Sequence, residues 1–158
     1  MRTSYVIAIG SNRRHLRHGP PAGVVGAAIA QLAPLAHSRI IASAPLGPSQ
    51  RRYANAAILI ESDFSPPVLL AHLKAIEHGF GRRARGQRWA ARVLDLDIIL
   101  WSGGIWADAE ATVPHPAYRE RAFVLKPLCD IAPRWRDPVT HLSSLHLKAR
   151  LDRKRTRP

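Results

Sequence analysis

Residues 93–100 read VLDLDIIL, and in this segment two aspartates interrupt a run of apolar side chains. Side chains of a β-strand alternate between its two faces, so Asp95 and Asp97 leave the same face. The apolar side chains between and beside them enter the core, namely Leu94, Leu96 and Ile98. The sequence therefore predicts a strand over residues 93–101 that carries a pair of carboxylates on one face.

The two carboxylates of this pair lie about 7 Å apart along the predicted strand and need a common counter-charge. A hard divalent cation such as Mg²⁺ is one solution, because it binds one or two carboxylates and completes its shell with water and phosphate oxygens. A solvated sheet edge, or neutralisation by neighbouring arginines, is the other. The bare Asp-x-Asp pattern leaves both interpretations open.

An arginine-rich segment immediately precedes the acidic strand. Arginines beside a metal-binding carboxylate pair suit a polyphosphate, whose oxygens they neutralise, and we expect the segment to close over a bound nucleotide. A solvated run of charge is the alternative interpretation. The sequence has no Gly-x-x-x-x-Gly-Lys-Ser/Thr loop, which excludes the P-loop class of ATP enzymes. Five arginines and no acid fall within residues 82–92, namely Arg82, Arg83, Arg85, Arg88 and Arg92.

The predicted elements upstream of the acidic strand follow a simple order. Apolar runs and helical spacing predict a strand, a helix, two strands and a second helix, at residues 5–9, 22–35, 38–43, 54–61 and 65–79. With the acidic strand, this order is β-α-β-β-α-β, the ferredoxin-like arrangement of an antiparallel sheet with helices on one face. Further helices are predicted over residues 118–131 and nearer the C-terminus. We therefore predict an α+β fold in which extra C-terminal elements make a three-layer α/β/α domain.

Length and composition fit one globular domain of 158 residues, 46% of them hydrophobic. We assign residues 1–147 to this domain and residues 148–158 to a basic C-terminal tail. A single cysteine excludes an internal disulfide framework and favours a reducing compartment. No apolar run reaches membrane-spanning length, and the N-terminal apolar stretch is too short for a signal peptide. We expect a cytoplasmic protein.

The charge balance favours an anionic partner. Lys and Arg number 24 against 11 Asp and Glu, which gives a formal net charge of +13. An RNA-binding module is one alternative, because ferredoxin-like sheets also bind RNA. However, residues 93–100 offer carboxylates where an RNA-binding sheet would present aromatic rings. Nucleic acid is therefore not the partner we expect.

Further motifs accompany the acidic strand in a fixed order. They are AIGSN at residues 8–12, PLGP at 45–48, YANAA at 53–57, RWAARVLDLDI at 88–98, VPH at 113–115 and RAFVL at 121–125. Together they resemble the 6-hydroxymethyl-7,8-dihydropterin pyrophosphokinases of folate biosynthesis, over about residues 5–135. The resemblance implies transfer of pyrophosphate from ATP to the hydroxymethyl group of the dihydropterin, with AMP as the other product. It also implies two Mg²⁺ ions, and we expect a monomer.

The resemblance implies roles for individual residues as well. Catalytic roles fall to Arg82, Arg92, Asp95 and Asp97, of which Asp95 and Asp97 hold the metal ions. ATP contacts are implied for Glu77, Arg82, Arg88, Arg92, Ile98, Thr112, His115 and Arg121. Pterin contacts are implied for Gly10, Pro45, Leu46, Tyr53, Asn55, Trp89 and Phe123. Taken singly, Phe123 fits a core position, Asn55 a turn and His115 an ordinary loop.

Several positions depart from the pattern of this family. Ala90 and Ala91 stand where the family usually has Gly-Pro, and Ala84 stands where it has an arginine. Residues 43–45 read Ser-Ala-Pro in place of the usual Thr-Pro-Pro. These changes leave room for a diverged, weakly active paralogue or for an inert homologue that acts as a scaffold.

Overall fold

The architecture is an antiparallel sheet between two layers of helices, in a computed structural model that describes residues 1–43, 52–81 and 93–157. In chain order the elements are β1 (Thr3–Ser11), α1 (Pro21–Leu32), β2 (Ala36–His37), β3 (Ile41–Ser43), β4 (Tyr53–Ser62), α2 (Pro66–Gly79), β5 (Asp95–Trp101), β6 (Trp106–Ala107), β7 (Thr112–Val113), α3 (Ala122–Ile131) and α4 (Ser144–Arg155). A 3₁₀ helix, Tyr118–Glu120, precedes α3. The sheet order is β2-β4-β1-β5, and β3 also pairs with β4, while β6 and β7 form a separate hairpin.

The two faces of β1 show how the layers form. Tyr5, Ile7 and Ile9 pack in one apolar cluster with side chains of α1 and α2. Val6, on the opposite face, packs in a second cluster with side chains of α3 and α4. Helices therefore cover both faces of the sheet, which confirms the predicted three-layer arrangement.

Helix α1 ends earlier than the sequence predicts. Its last residue is Leu32, and Ala33 adopts the left-handed conformation with φ of 43°. Leu35 lies beyond the helix, because its N–H donates to the carbonyl oxygen of Leu59 at 2.9 Å and so joins the sheet. Among the helices within residues 1–43, 52–81 and 93–157, none is long and apolar enough to cross a membrane.

Two other predicted elements differ from the structure. Of the strand predicted over residues 38–43, only Ile41–Ser43 forms a strand, β3, and the short strand β2 precedes the predicted range. The chain is interrupted between β2 and β3, where the hydroxyl of Ser38 accepts the N–H of Ala57 at 2.9 Å. The helix predicted over residues 118–131 is interrupted at Arg121, whose extended backbone separates the 3₁₀ helix from α3. Both interruptions matter for the site, since β3 and Arg121 border it.

A bulge in β5 changes the direction of its side chains. Ile7 pairs with Ile98 and Val6 pairs with Leu100, so Ile99 is the extra residue on β5. Ile98 therefore packs on the α2 side of the sheet, while Ile99 and Leu100 both pack on the α3 side. The carbonyl oxygen of Ile99 accepts the N–H of His115 at 3.0 Å.

The predicted boundary between domain and tail falls inside α4, so residues 148–155 belong to a helix. Ser143 caps its N-terminus, with the side-chain oxygen accepting the N–H of His146. Leu147 is buried and Leu151 packs against the same cluster as α3. This packing gives the basic segment an apolar face that its charge alone does not reveal.

Candidate active site

Three neighbouring strands place small and polar residues on one face of the sheet. Gly10 of β1 lies opposite Asn55 of β4 on one side and Asp95 of β5 on the other. In the adjacent row, Ala8 lies between Ala57 and Asp97. Because neighbouring strands lie about 4.8 Å apart, an amide and a carboxylate face the same space with only a glycine between them.

Gly10 makes room for the side chains of β4. A Cβ atom at this position would lie 3.2 Å from Asn55 Oδ1 and 4.0 Å from Tyr53 Cδ1. Asn55 and Tyr53 therefore lean over β1 towards β5. The structure brings together four of the predicted substrate and metal residues here, namely Gly10, Tyr53, Asn55 and Asp95.

The acidic pair is as predicted: Asp95 and Asp97 lie on one face, half-buried, and Leu94, Leu96 and Ile98 lie in the core on the other. Burial, followed by the negative charge of Asp95, raises the pKa of Asp97 to about 6. The positive charges of Lys74 and Arg121 act in the opposite direction. The described cations Lys74 and Arg121 therefore lie close enough to Asp97 to act on its carboxylate, alongside the second carboxylate of the pair.

Helix α2 supports the outer edge of β5 between the two aspartates. The fully buried carboxylate of Glu77 accepts the N–H of Leu96 at 2.7 Å. Lys74 Nζ donates to Glu77 Oε1 at 3.0 Å and to the carbonyl oxygen of Leu96 at 3.5 Å. Glu77 thus replaces the neighbouring strand that an edge strand lacks.

His115 stands beside this edge with its backbone fixed by the bulge of β5. Its Nδ1 accepts the N–H of Ala117 at 3.1 Å, so the neutral ring carries its proton on Nε2. Burial, followed by the positive charge of Arg121, lowers the pKa of His115. Asp95 acts on the same pKa in the opposite direction, which places the imidazole close to both charges.

Arg121 and Phe123 complete the described part of the site from the α3 side. The guanidinium carbon of Arg121 lies 5.7 Å from the centre of the Phe123 ring. The positive charge of Arg121 acts on the pKa of both Asp97 and His115. Arg121 therefore lies among the residues that the sequence assigned to ATP and to the metal.

Other predicted residues are placed differently or lie outside the described residues. The side chain of Ile98 is in the core on the α2 side of the sheet, opposite the carboxylates. Thr112 is exposed on the β6–β7 hairpin. Predictions for six residues fall in segments that the structure does not describe and stay predictions, namely Pro45, Leu46, Arg82, Arg88, Trp89 and Arg92.

Sequence reasoning missed two residues that contact the site. Lys74 lies three residues before Glu77, and this helical spacing of opposite charges is the signal that could have found it. Ser43, at the end of β3, accepts a hydrogen bond from Asn55 Nδ2 at 2.6 Å. No local signal points to Ser43, because β3 and β4 meet only in the folded sheet.

In fold, the chain is a ferredoxin-like α+β domain of the kind found in crystal structures of HPPK-DHPS. A structure of HPPK-DHPS in complex with substrates matches with a TM-score of 0.73 and 10% identity, over 97% of this chain and 45% of that one. Wild-type Plasmodium falciparum HPPK-DHPS matches with a TM-score of 0.71 and 11% identity, over 95% of this chain and 45% of that one. The chain thus spans less than half the length of these two proteins. At this low sequence identity, the structural similarity establishes a shared fold alone.

The chain belongs to the 7,8-dihydro-6-hydroxymethylpterin-pyrophosphokinase family, whose model matches residues 6–133. A relative from Synechocystis is 37% identical over an alignment of 153 residues, and the match covers 93% of this chain and 75% of the relative. A relative from Haemophilus influenzae is 38% identical over an alignment of 139 residues, and the match covers 84% of this chain and 82% of the relative. Both relatives are 2-amino-4-hydroxy-6-hydroxymethyldihydropteridine pyrophosphokinases.

Proposed function

We propose that the protein transfers pyrophosphate from ATP to the hydroxymethyl group of 6-hydroxymethyl-7,8-dihydropterin, giving AMP and the pterin diphosphate. The observation that carries this proposal is the row formed by Asn55, Gly10 and Asp95, with Asp97 beside it. One end of the row suits the edge of a heterocycle and the other suits a metal-bound phosphate. Family membership supports the same reaction.

The acidic pair fits Mg²⁺. Within residues 1–43, 52–81 and 93–157, no group of three or more His, Cys, Asp or Glu residues could hold a metal ion. Two carboxylates are nevertheless sufficient for Mg²⁺, because a triphosphate and water complete its octahedral shell. Asp95 and Asp97 would hold the ions, which supply charge neutralisation and polarise the phosphate under attack.

The pterin side offers chemistry for a flat, hydrogen-bonding ring. Asn55 is buried and carries both a donor and an acceptor, while Tyr53 and Phe123 supply aromatic surface. Gly10 leaves space above β1 for the ring. The hydroxymethyl group of a ring bound there lies next to the transferred phosphate, because the nearby carboxylates would hold the metal ions that bind this phosphate. Close placement of the two reacting groups lowers the entropic part of the barrier.

The nucleotide side contains one fixed cation and one neutral donor. Arg121 offers a planar fork of N–H groups to phosphate oxygens. His115, neutral because its pKa is lowered, offers its Nε2–H without adding charge. We further propose that Arg82 and Arg92 contact the transferred phosphates and that Arg88 and Trp89 contact the substrates, in line with the sequence resemblance.

Binding of a non-hydrolysable ATP analogue, with and without Mg²⁺, tests the metal assignment. We expect Asp95→Asn and Asp97→Asn each to lose at least tenfold of the Mg²⁺-dependent gain in affinity. Asp63→Asn is the matched control, because Asp63 is exposed and follows the far end of β4. Wild-type Mg²⁺ dependence in both site variants would overturn the assignment.

We also propose that the protein is a monomer, and that it is cytoplasmic, which the single cysteine supports because it fits a reducing compartment. Sedimentation analysis tests the monomer. A stable dimer at the working concentration of the enzyme would contradict it.

A further inference from the structure

The side-chain amide of Asn55 is held by a residue outside the predicted site. Ser43 lies opposite Tyr53 in the pairing of β3 with β4, and Ile41 lies opposite Asn55. From its diagonal position, Ser43 Oγ accepts a hydrogen bond from Asn55 Nδ2 at 2.6 Å. Ser43 is half-buried and Asn55 is 5% exposed, so water competes little for this bond.

This hydrogen bond fixes which end of the amide faces the site. With Nδ2 turned to Ser43, Oδ1 of Asn55 lies on the side of Gly10. A Cβ atom added to Gly10 would lie 3.2 Å from this oxygen. The terminal torsion of asparagine has two broad minima that exchange the positions of Oδ1 and Nδ2. Without the hydroxyl of Ser43, the second orientation becomes accessible, and a donor replaces the acceptor above β1.

We propose that Ser43 is a positioning residue that sets the specificity of the pterin site, because it locks the Asn55 amide with its acceptor towards the substrate. This inference rests on the proposed function, in which Asn55 contacts the heterocycle. The locked amide selects a heterocycle whose edge presents an N–H group to Oδ1. It disfavours an analogue in which donor and acceptor are exchanged.

Steady-state kinetics of two nearly isosteric variants test this role. Ser43→Thr keeps the hydroxyl and Ser43→Val removes it, while both fit a strand. We expect Ser43→Val to raise KM for the pterin about tenfold, in line with one lost buried hydrogen bond, and to leave KM for ATP within twofold. We expect Ser43→Thr to keep the wild-type KM values, because it retains the hydroxyl. Ser62→Ala is the control, since Ser62 lies at the far end of β4 and its hydroxyl accepts the N–H of Phe64.

A second readout separates positioning from a general structural effect. The 2,4-diamino analogue of the substrate exchanges donor and acceptor along this edge, because N3 loses its hydrogen and becomes an acceptor while the oxygen at position 4 becomes an amino donor. We expect Ser43→Val to reduce discrimination against this analogue, measured as the ratio of kcat/KM values, at least fivefold. Unchanged discrimination and unchanged KM in a folded Ser43→Val protein would overturn the proposal.

Asn55→Ala distinguishes failure of this inference from failure of the proposed function. In the Asn55→Ala background, we expect Ser43→Val to have no further effect on KM for the pterin. If Asn55→Ala raises KM for the pterin but Ser43→Val does not, Ser43 is not a positioning residue and the proposed function stands. If Asn55→Ala itself leaves KM unchanged, the proposed pterin site is wrong.

Discussion

Replacing Glu77 tests whether α2 holds the strand that carries the acidic pair. Glu77→Ala removes the acceptor of the Leu96 N–H and the partner of Lys74, both at a fully buried carboxylate. An unsatisfied buried N–H costs about 1–3 kcal/mol. Loss of the ion pair adds less than a fully buried pair would, because the Lys74 side chain is 37% exposed. We therefore expect the free energy of unfolding to fall by about 2–4 kcal/mol.

Glu77→Gln is the matched variant for this prediction. The amide keeps a carbonyl oxygen for the Leu96 N–H and loses only the charge that faces Lys74, so we expect a loss of about 1 kcal/mol. Urea unfolding at equilibrium measures both variants. Glu61→Gln, an exposed carboxylate on β4, serves as a control expected to stay within about 0.5 kcal/mol of the wild type.

A different result would support the sequence-based assignment of Glu77 to ATP. If Glu77 acts mainly on the nucleotide, both variants weaken ATP binding while the free energy of unfolding stays at the control value. If Glu77 supports β5, the free energy of unfolding of the variants falls below the control value, and the Mg²⁺ concentration that they need rises as well. Wild-type stability of Glu77→Ala would refute the structural role.

Asp137 and Gly10 offer two more tests, one by pH and one by substitution. Burial raises the pKa of Asp137, but hydrogen bonds from Arg119, Thr140 and the backbone of Val139 outweigh it and lower the pKa to about 2. This stabilisation is complete above the pKa that Asp137 has in the unfolded chain, about 4, and is lost as pH falls towards 2. The melting temperatures of the wild type and Asp137→Asn should therefore converge in this interval. A constant difference between the two melting temperatures would contradict the role of the Asp137 carboxylate. Gly10→Ala should raise KM for the pterin more than KM for ATP, because its Cβ meets Asn55 Oδ1 at 3.2 Å. Stability should change by less than about 1 kcal/mol, since alanine loses less backbone entropy in a strand than glycine does. Equal changes in both KM values would contradict the proposed position of the pterin.

The acidic pair could be predicted because it depends on a local rule. Alternation along a strand places Asp95 and Asp97 on one face whatever the strand pairs with. The same rule placed Ile98 in the core, whereas the family resemblance assigned it to ATP. The structure places the side chain of Ile98 in the core. A contact of Ile98 with ATP would therefore have to come from its backbone.

Features that depend on distant parts of the chain could not be predicted. The bulge at Ile99 exists only in the pairing of β5 with β1. The interruption between β2 and β3 depends on Ser38 and on Arg39, which pairs with Asp130 of α3. The continuation of α4 through the basic segment depends on burial of Leu147 against α3. In each case the deciding contact joins residues that are far apart in sequence.

Analysis of the products formed from ATP is the direct test of pyrophosphate transfer to the pterin. The protein is incubated with ATP, Mg²⁺ and 6-hydroxymethyl-7,8-dihydropterin, and the nucleotides and pterins are separated and quantified. The proposed reaction predicts AMP and the pterin diphosphate in equal amounts, with no AMP when the pterin is omitted. ADP and phosphate in place of AMP, or AMP formed without the pterin, would contradict pyrophosphate transfer to the hydroxymethyl group.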